Sequence, residues 1–538
     1  MPPTPPSTPE PGEARIRDRG DACPGALRLH PADDGRLARL RLPGGLLTAR
    51  QAELLATAAE SLGDGRISIT SRGNAELRGL ADDCGARLAA LLDDAGLLPS
   101  PGHERVRNIV ASPAADLTGL GHATAQLWAR DLDSLLCAEP WTTALSGRFL
   151  FVLDAGRGDV AGLGGDVTLI AVGAEALPGG DAAGPATGAA GGAAGGEGAA
   201  GGDASDADAA ARGALGSAGA HAPAGGSPAA AGGGAGPGAG RVPAPQAQGC
   251  PVSYADGAAG PHTGRGHEPA PEALLYVGGQ FFRVAGEDAA RAALAGAEAF
   301  LAAAREAGNG AWRVRELPPG TVLDVAGALA RAAIAAEPVP DARLPHRDPP
   351  EPGVLGATGL YVLAPLGRLT AAQLRALADG AEELRFTPWR GVVVVGAAHR
   401  PADAGGGSGM PGTAPYGNTN QPVGAGDMPH HRYDPSARLR ALDALGLVTS
   451  ARAPLAGVSA CTGRPGCGKA LADVRADAEE APAGGLPVHY SGCERRCGHP
   501  HGAWVDVLAV ADGGYLVDGA PTPRTSLTEA VATSRTTR

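Results

Sequence analysis

The chain has 538 residues, enough for two or more ordinary domains, and its 43% of apolar residues is enough for a large core. The formal net charge of −12 argues against a nucleic-acid-binding protein, because phosphate recognition needs a basic surface. Lys469 is the only lysine. Arginine therefore supplies almost all of the fixed positive charge, and a guanidinium binds carboxylates in bidentate fashion but does not readily donate a proton.

The N-terminal segment, from Met1 to Gly12, is rich in proline and lacks the basic and then apolar pattern of a signal peptide. No run of about 18 apolar residues without charge occurs, so we expect no membrane span. We therefore expect a cytoplasmic protein. In that reducing compartment, paired cysteine motifs are more typical of metal or redox chemistry than of disulfides.

Two segments have the composition of disordered surface insertions. Residues from about 177 to 271 are mostly Ala, Gly and Pro, and residues from about 401 to 433 are rich in Gly, Pro and Asn. Neither segment has enough large apolar side chains to offset the entropy lost on ordering. The predicted ordered blocks are therefore roughly 20–176, 272–400 and 434–520.

The ordered blocks contain an internal repeat, with one copy at 44–80 and the other at 365–397. Each copy has a threonine at a predicted helix start, Thr48 or Thr370, where a hydroxyl can cap the first turn. Apolar residues then follow at helical spacing, and a strand follows the helix. This order predicts two related α+β half-domains.

Each copy of the repeat ends in a turn that contains a threonine and an arginine. The first turn is Thr70-Ser-Arg72 and the second is Thr387-Pro-Trp-Arg390. If the two turns are equivalent, pseudo-symmetry places Arg72 and Arg390 on opposite sides of one cleft.

Four cysteines near the C-terminus form a C-x5-C pair and a C-x3-C pair; they are Cys461, Cys467, Cys493 and Cys497. Structural zinc usually takes tighter pairs, whereas iron–sulfur cubanes accept four thiolates at varied spacings. Glycines crowd the first pair, so backbone N–H groups can approach the sulfur atoms. The spacing favours a [4Fe–4S] cluster, with zinc and unliganded thiols as alternatives. The remaining cysteines are isolated, which is typical of packing or of no special role; they are Cys23, Cys84, Cys137 and Cys250.

Three features together resemble the sulfite/nitrite reductase family. They are the cysteine spacing, the Arg39-Leu-Arg41-Leu-Pro-Gly-Gly45 segment before the Thr48 helix, and Arg107-Asn-Ile-Val-Ala-Ser-Pro113. The resemblance covers nearly all of the ordered chain. It implies an α+β fold with two ferredoxin-like half-domains related by a pseudo-twofold axis and an α/β iron–sulfur domain. In that family, sirohaem lies in an arginine-lined cleft against the cluster.

The sequence departs from the family pattern at two motifs. The last cysteine pair reads Gly492-Cys-Glu-Arg-Arg-Cys497, where sirohaem reductases usually have Gly-Cys-Pro-Asn-x-Cys. The reductases also have a pair of active-site lysines, and the matching positions here are Arg148 and Leu150. Arginine could hold an anion there but could not readily supply protons to sulfite or nitrite.

The segments Gly20–His30 and Ser491–Pro500 are instead similar to the precorrin-3B synthase branch of the same superfamily. That resemblance implies O2- and NADH-dependent hydroxylation of precorrin-3A at C20, with formation of a γ-lactone. The tetrapyrrole is then the substrate, and a mononuclear non-haem iron is associated with the branch. No Gly-x-Gly-x-x-Gly motif opens a helix after a strand. We therefore expect electrons from a separate NADH-dependent reductase or a ferredoxin.

Precorrin-3A carries several carboxylates, each of which a guanidinium can bind through two charge-assisted hydrogen bonds. The arginines predicted to bind it are Arg39, Arg41, Arg72, Arg107, Arg148 and Arg390. We assign no ligands to the non-haem iron, although His489, His499 and His501 lie near the last cysteine pair, and we interpret His430-His431 as part of a flexible loop. The alternatives are a sirohaem-dependent sulfite or nitrite reductase and a non-catalytic iron–sulfur carrier or tetrapyrrole-binding module.

The resemblance gives a domain order along the chain. It predicts a disordered N-terminus (1–19), a first half-domain (20–100), the first part of the iron–sulfur and tetrapyrrole domain (101–352), a second half-domain (353–400), a disordered linker (401–433), the cluster-binding part (434–520) and a C-terminal tail (521–538).

Overall fold

A computed structural model describes residues 21, 24–118, 124–172, 272–396, 434–478, 481, 484–500 and 502–536. The predicted N-terminal tail, the insertion near 177–271 and the linker at 401–433 lie outside the described residues. The same holds for Cys23, Cys250, His430, His431 and His501.

The first half-domain is built from strands and helices in ferredoxin-like order. Its elements are β1 (His30–Ala32), β2 (Gly35–Leu40), β3 (Leu46–Leu47), α1 (Ala49–Leu62), β4 (Arg66–Ile69), β5 (Ala75–Leu80) and α2 (Gly85–Asp94). Helix α1 starts at a capping box in which Thr48 accepts from the Gln51 N–H and the Gln51 side chain accepts from the Thr48 N–H. The predicted helix start is therefore confirmed.

A mixed sheet follows, with two long helices packed on it. Its elements are β6 (Ile109–Ala111), α3 (Ala115–Thr118), α4 (Thr124–Ala138), β7 (Phe151–Asp154), β8 (Val167–Val172), β9 (Glu272–Val277), β10 (Gln280–Ala285), α5 (Ala289–Ala307), α6 (Val325–Arg331) and β11 (Ala336–Pro338). Strands β6, β7 and β8 are parallel, and β8 to β11 are antiparallel. The central strands are buried along their whole length, as expected for a sheet covered on both faces.

The second half-domain repeats the order of the first. Its elements are β12 (Gly353–Leu355), β13 (Gly359–Leu363), β14 (Arg368–Thr370), α7 (Ala371–Ala378), β15 (Glu383–Phe386), β16 (Gly391–Val395) and α8 (Pro435–Ala444). Thr370 and Gln373 form a second capping box. Helix α8 contributes Leu442 to the half-domain core and packs on α7. Residues 434–444, predicted to open the cluster-binding part, therefore belong by packing to the second half-domain.

The two half-domains exchange short strands. Strand β3 of the first pairs with β15 of the second, with Leu47 opposite Leu384. Strand β14 of the second pairs with β4 of the first, with Leu369 opposite Ile67. The sheet of each half-domain thus contains one strand from the other copy, and α1 and α7 pack together over a single shared core.

The last sheet carries the cysteine loops. Its elements are β17 (Val458–Ala460), α9 (Val474–Ala478), β18 (Val488–Ser491), β19 (Val505–Ala509), β20 (Tyr515–Val517), β21 (Ala520–Thr522) and α10 (Leu527–Thr536). Strands β17, β18 and β19 are parallel. Leu527 and Val531 of α10 are buried in the core of this sheet. The segment predicted as a C-terminal tail, 521–538, thus includes a helix whose apolar residues pack in this core.

The structure confirms the predicted α+β fold, with two ferredoxin-like sheets and two mixed sheets. Among the helices of the described ranges, none combines the length and the apolar character needed to span a bilayer.

Candidate functional site at the cysteine loops and the arginine cleft

The two cysteine pairs lie in loops that leave neighbouring parallel strands. Cys461 directly follows β17, and Cys493 follows β18 by two residues. Because Ala460 pairs with Tyr490, both loops leave the same edge of the sheet. Ligand sites commonly form at the carboxyl ends of parallel strands.

The four thiols influence one another electrostatically, which indicates that they lie close together. Burial raises the pKa of the Cys497 thiol, and the neighbouring Cys461, Cys493 and Cys467 raise this pKa further. Burial also raises the pKa of Cys461, whereas the Gly492 N–H, which donates to its Sγ at 3.2 Å, opposes that rise. All four thiols are free of disulfides.

The described residues contain no group of three or more His, Cys, Asp or Glu side chains placed to hold a metal ion. A cubane separates its thiolates more widely than a single ion does, because each thiolate binds a different iron. A tetrahedral zinc site would instead draw the four sulfur atoms together. Four thiolates can serve either kind of site, and the cluster stays a prediction.

Buried guanidinium groups lie near the cysteine loops. Burial lowers the pKa of Arg475 to about 9, and the charges of Arg368, Arg390 and Arg78 contribute to this shift. Burial likewise lowers the pKa of Arg390 to about 10, whereas the nearby Cys461 acts in the opposite direction. The Nη1 of Arg390 and the Nε of Arg475 are buried without a hydrogen-bond partner. A thiolate-bound anionic cluster fits this environment, since it would offset the uncompensated charge.

The turns of the two repeats are equivalent, but their arginines are not. The Thr70 N–H donates to the Asn74 carbonyl, and the Thr387 N–H donates to the Gly391 carbonyl. The two hydrogen bonds therefore close turns of the same length. Arg390 therefore occupies the position of Gly73, and Arg72 corresponds to Trp389. This corrects the prediction that Arg72 and Arg390 are symmetry mates.

The position shared by Gly73 and Arg390 is left-handed in both turns, with φ of 67° and 61°. Such a conformation is strained for arginine. It directs the guanidinium of Arg390 to the second cysteine loop, where Nη2 donates to the Gly498 carbonyl. Arg390 is therefore a neighbour of the cysteines rather than the second wall of an arginine cleft.

A separate cleft forms around Arg72. Its open space is about 150 Å³, and it is lined by Ser71, Arg72, Val110, Leu150, Leu163, Gly164, Arg313 and Arg315. Leu163 and Trp389 pack against the buried cluster that contains Val110 and Leu150. The cleft thus combines an apolar wall with guanidinium groups, which suits an amphipathic anion.

The arginines of this cleft differ in availability. Arg72 donates to the Arg148 carbonyl at 3.3 Å, and the Arg148 guanidinium lies 4.9 Å from the centre of the Trp312 ring. Arg313 is paired with Asp166 in the interior, whereas Arg315 is exposed. The sequence prediction included Arg72 and Arg148 but missed Arg315, whose only signal was a repeated Arg-x-Arg spacing.

Leu150 occupies one of the positions at which the reductases have a lysine. It is 2% exposed and lines the cleft beside Arg72. The wall of the cleft at Leu150 is therefore apolar.

Three predicted substrate-binding arginines are held by other protein groups. Arg107 forms a buried bidentate pair with Asp133, with both contacts at 2.6 Å. Arg41 is 4% exposed and donates to the backbone carbonyls of Arg105 and Gly147. The prediction is corrected for Arg41 and Arg107, because their guanidiniums are buried in structural contacts.

Arg39 donates to Glu76 at 2.7 Å and keeps 30% of its side chain exposed. That pairing removes Arg39 from the set of arginines that we propose for the substrate.

The histidines near the last cysteine pair pack around Trp504. His489 is fully buried, with Nδ1 2.8 Å from the Ser459 hydroxyl, and its ring meets Trp504 edge-on. Burial keeps the pKa of His489 well below its usual range, so the imidazole is neutral. His499 stacks on the same indole. Both imidazole rings therefore contact the same indole.

Residues 30–95 match the model of the nitrite/sulfite reductase ferredoxin-like half domain. They coincide with the first five-stranded unit, from β1 to the end of α2. The second five-stranded unit repeats the element order of this half domain.

Similar proteins come from two branches of this superfamily. A precorrin-3B synthase from a Sinorhizobium species is 40% identical over 97 residues, which are 18% of this chain and 21% of that protein. Ferredoxin–nitrite reductases of Leptolyngbya laminosa and Synechococcus elongatus are 37% and 40% identical over 92 and 90 residues. Each of these two alignments covers 16% of this chain and 18% of the relative. The matches thus span about a fifth of the length of each relative.

A solved structure extends the similarity of the fold beyond the half domain. The Mycobacterium tuberculosis NirA protein superposes with a TM-score of 0.50 over 92% of this chain and 79% of its own, at 14% sequence identity. At that identity the match shows the fold alone. The comparisons confirm the resemblance to the sulfite/nitrite reductase superfamily, including its precorrin-3B synthase branch.

Proposed function

We propose that this protein is a [4Fe–4S] oxidoreductase similar to precorrin-3B synthase, which hydroxylates precorrin-3A at C20 with O2 and forms a γ-lactone. The observation that carries this proposal is the cleft beside Arg72. Its guanidinium groups suit a polycarboxylate, and Leu150 gives it an apolar wall where the reductases have a lysine. The 40% identity to a precorrin-3B synthase supports the same choice.

Cys461, Cys467, Cys493 and Cys497 would hold the cluster, which supplies electrons one at a time when it is bound. Arg390 and Arg475 would balance the negative charge of the cluster and its thiolates. The Gly492 N–H, already donated to the Cys461 sulfur, would raise the reduction potential. A mononuclear non-haem iron remains part of the proposal without assigned ligands.

Arg72 and Arg315 would bind carboxylates of the macrocycle, and Arg148 would stay fixed over Trp312. The rings of the substrate would lie along Val110, Leu150 and Leu163. One atom of O2 enters the product and the other leaves as water, which requires two electrons and two protons. We propose that a separate NADH-dependent reductase or a ferredoxin supplies these electrons.

The test is to incubate anaerobically prepared protein with precorrin-3A, a reductant and 18O2. Mass spectrometry should show one labelled oxygen in a product that carries a lactone. Arg72→Ala should mainly raise KM, because it removes a carboxylate contact worth about 1.5–3 kcal/mol. Arg36→Ala, in an exposed ion pair with Asp82 elsewhere on the half domain, is the matched control.

A sirohaem-dependent nitrite or sulfite reductase is the second candidate, and the identity to two ferredoxin–nitrite reductases favours it. The visible spectrum of the purified protein distinguishes the two, because sirohaem has an intense Soret band and a cluster alone has a broad brown shoulder. If precorrin-3A is recovered unchanged while nitrite or sulfite is reduced at enzymatic rates, the synthase proposal is wrong.

A further inference from the structure

The tip of the β1–β2 hairpin lies against the first cysteine loop. The Gly468 N–H donates to the carboxylate of Asp33, and the Gly466 carbonyl accepts from Nη2 of Arg78 at 2.8 Å. These bonds join residues that are 435 and 388 positions apart in the sequence. The two glycines flank Cys467, so the first half domain holds this cysteine from both sides.

The Arg78 side chain is held in place by two carboxylates of its own half domain. Its Nε and Nη2 donate to the two carboxylate oxygens of Asp34, each at 2.9 Å, and Nη1 lies 3.4 Å from Glu76. The side chain is 8% exposed. Burial alone would lower the pKa of Arg78, but Asp34 and Glu76 raise it overall, so the group stays charged. A charged donor with this geometry fixes the position of the Gly466 carbonyl.

The loop is also packed closely against the hairpin. A Cβ atom at Gly466 would lie 2.6 Å from Oδ2 of Asp34, and one at Gly468 would lie 2.8 Å from Oδ1 of Asp33. A side chain at either position would require the Asp33 or Asp34 carboxylate, or the loop itself, to move. The carboxylates that make the hydrogen bonds thus also lie in close contact with the two glycines of the loop.

We propose that Asp33 and Arg78 are positioning residues that form a clasp on the first cysteine loop and so control how firmly the metal centre is retained. The clasp is defined by Asp33, Asp34 and Arg78 on the half domain and by Gly466 and Gly468 on the loop. The part that concerns retention rests on the proposed cluster. The part that concerns the position of the loop does not, and it can be measured without metal.

The first experiment uses the full chain without metal and measures amide hydrogen exchange in peptides that span 463–470. Asp33 is exposed, so Asp33→Ala should fold normally. Its loss frees the Gly468 N–H, and exchange there should be at least about tenfold faster. Asp33→Asn keeps an accepting oxygen and should restore slow exchange. Arg36→Ala, on the neighbouring strand β2, should leave exchange in the loop unchanged.

The second experiment loads the protein with iron and sulfide and follows the loss of visible absorbance in the presence of a chelator without oxygen. Asp33→Ala and Arg78→Met should each lose the centre about tenfold faster than the wild type. Mutation of a residue that supports a metal ligand typically lowers the affinity for the metal 10- to 100-fold. Arg36→Ala is again the control.

The clasp is refuted if the Gly468 amide exchanges its hydrogen in Asp33→Ala at the same rate as in the wild type. Its role in retention is refuted if exchange accelerates but the centre is lost at the wild-type rate. If the wild type assembles no iron–sulfur centre at all, the proposed function fails, while the exchange measurement still decides whether the clasp exists.

Discussion

Replacing Arg390 by glycine should stabilise the protein when no metal is bound. Arg390 is the left-handed residue of a turn whose sister turn has Gly73 at the same position. Its guanidinium is largely buried, it has one carbonyl partner at Gly498, and its Nη1 has none. Arg390→Gly therefore removes strain and an uncompensated charge together.

The expected change in the free energy of unfolding is the sum of three contributions. Burial lowers the pKa of Arg390 to about 10. At about 1.4 kcal/mol for each pKa unit, the charged group costs the fold up to about 3 kcal/mol. Relief of the left-handed strain adds about 1 kcal/mol. The lost bond to the Gly498 carbonyl subtracts about 2 kcal/mol. We expect a net gain of about 2 kcal/mol in the free energy of unfolding at pH 7.

This gain should depend on pH. Because the pKa of Arg390 is lower in the folded state than in the unfolded state, the penalty is complete well below pH 10 and fades as the pH rises through that value. The advantage of Arg390→Gly over the wild type should therefore shrink as the pH rises through about 10 and should be lost at higher pH.

The assay is urea unfolding of protein freed of metal, followed by circular dichroism, with the same measurement on iron–sulfur-loaded protein. In the loaded protein the order should reverse, because the cluster loses a nearby cation. Gly73→Ala is the matched control, and it should destabilise both forms, since its Cβ would lie 2.6 Å from the Phe386 carbonyl oxygen. If Arg390→Gly destabilises the metal-free protein by about 1 kcal/mol or more, the interpretation of Arg390 as an uncompensated charge is wrong.

Three further outcomes are expected. Arg107→Ala leaves Asp133 buried without its partner, so urea unfolding should show a loss of about 3–5 kcal/mol. Cys497→Ser should abolish the brown absorbance and acid-labile sulfide after reconstitution, whereas the isolated Cys84→Ser should leave both unchanged. Leu150→Lys should hardly weaken the binding of a polycarboxylic tetrapyrrole, but it places a cation in a buried part of the cleft. The free energy of unfolding should therefore fall by several kcal/mol. An unchanged free energy of unfolding would show that the wall is open to water.

The repeat was readable from the sequence because its signals are local. Thr48 and Thr370 each precede a glutamine by three residues, and both pairs form capping boxes. The exchange of β3 and β14 was not readable. Strands of two and three residues carry no alternation, and their partners are chosen by the packing of α1 on α7.

The arginines show where residue patterns mislead. The Arg-Gly dipeptide in the second turn looked like that of the first, but the hydrogen-bonded ring, counted from Thr387, places Arg390 opposite Gly73. The ion pair between Arg107 and Asp133 forms only because α4 packs against β6. No short sequence pattern encodes that packing. The proximity of the four cysteines was readable because each pair is local in the sequence, whereas their binding of a cluster stays a prediction.

The strand exchange gives the molecule the character of a tethered dimer. A single half domain would expose an unpaired edge at β4 or β15, and a second copy of itself would be a natural partner for that edge. Joining both copies in one chain turns that bimolecular encounter into an internal one, with an effective concentration set by the connecting chain. Since loop closure costs only about 0.6 kcal/mol for each doubling of length, long connections between the copies weaken this pairing little. Two halves expressed as separate chains should therefore recover the fold only when mixed.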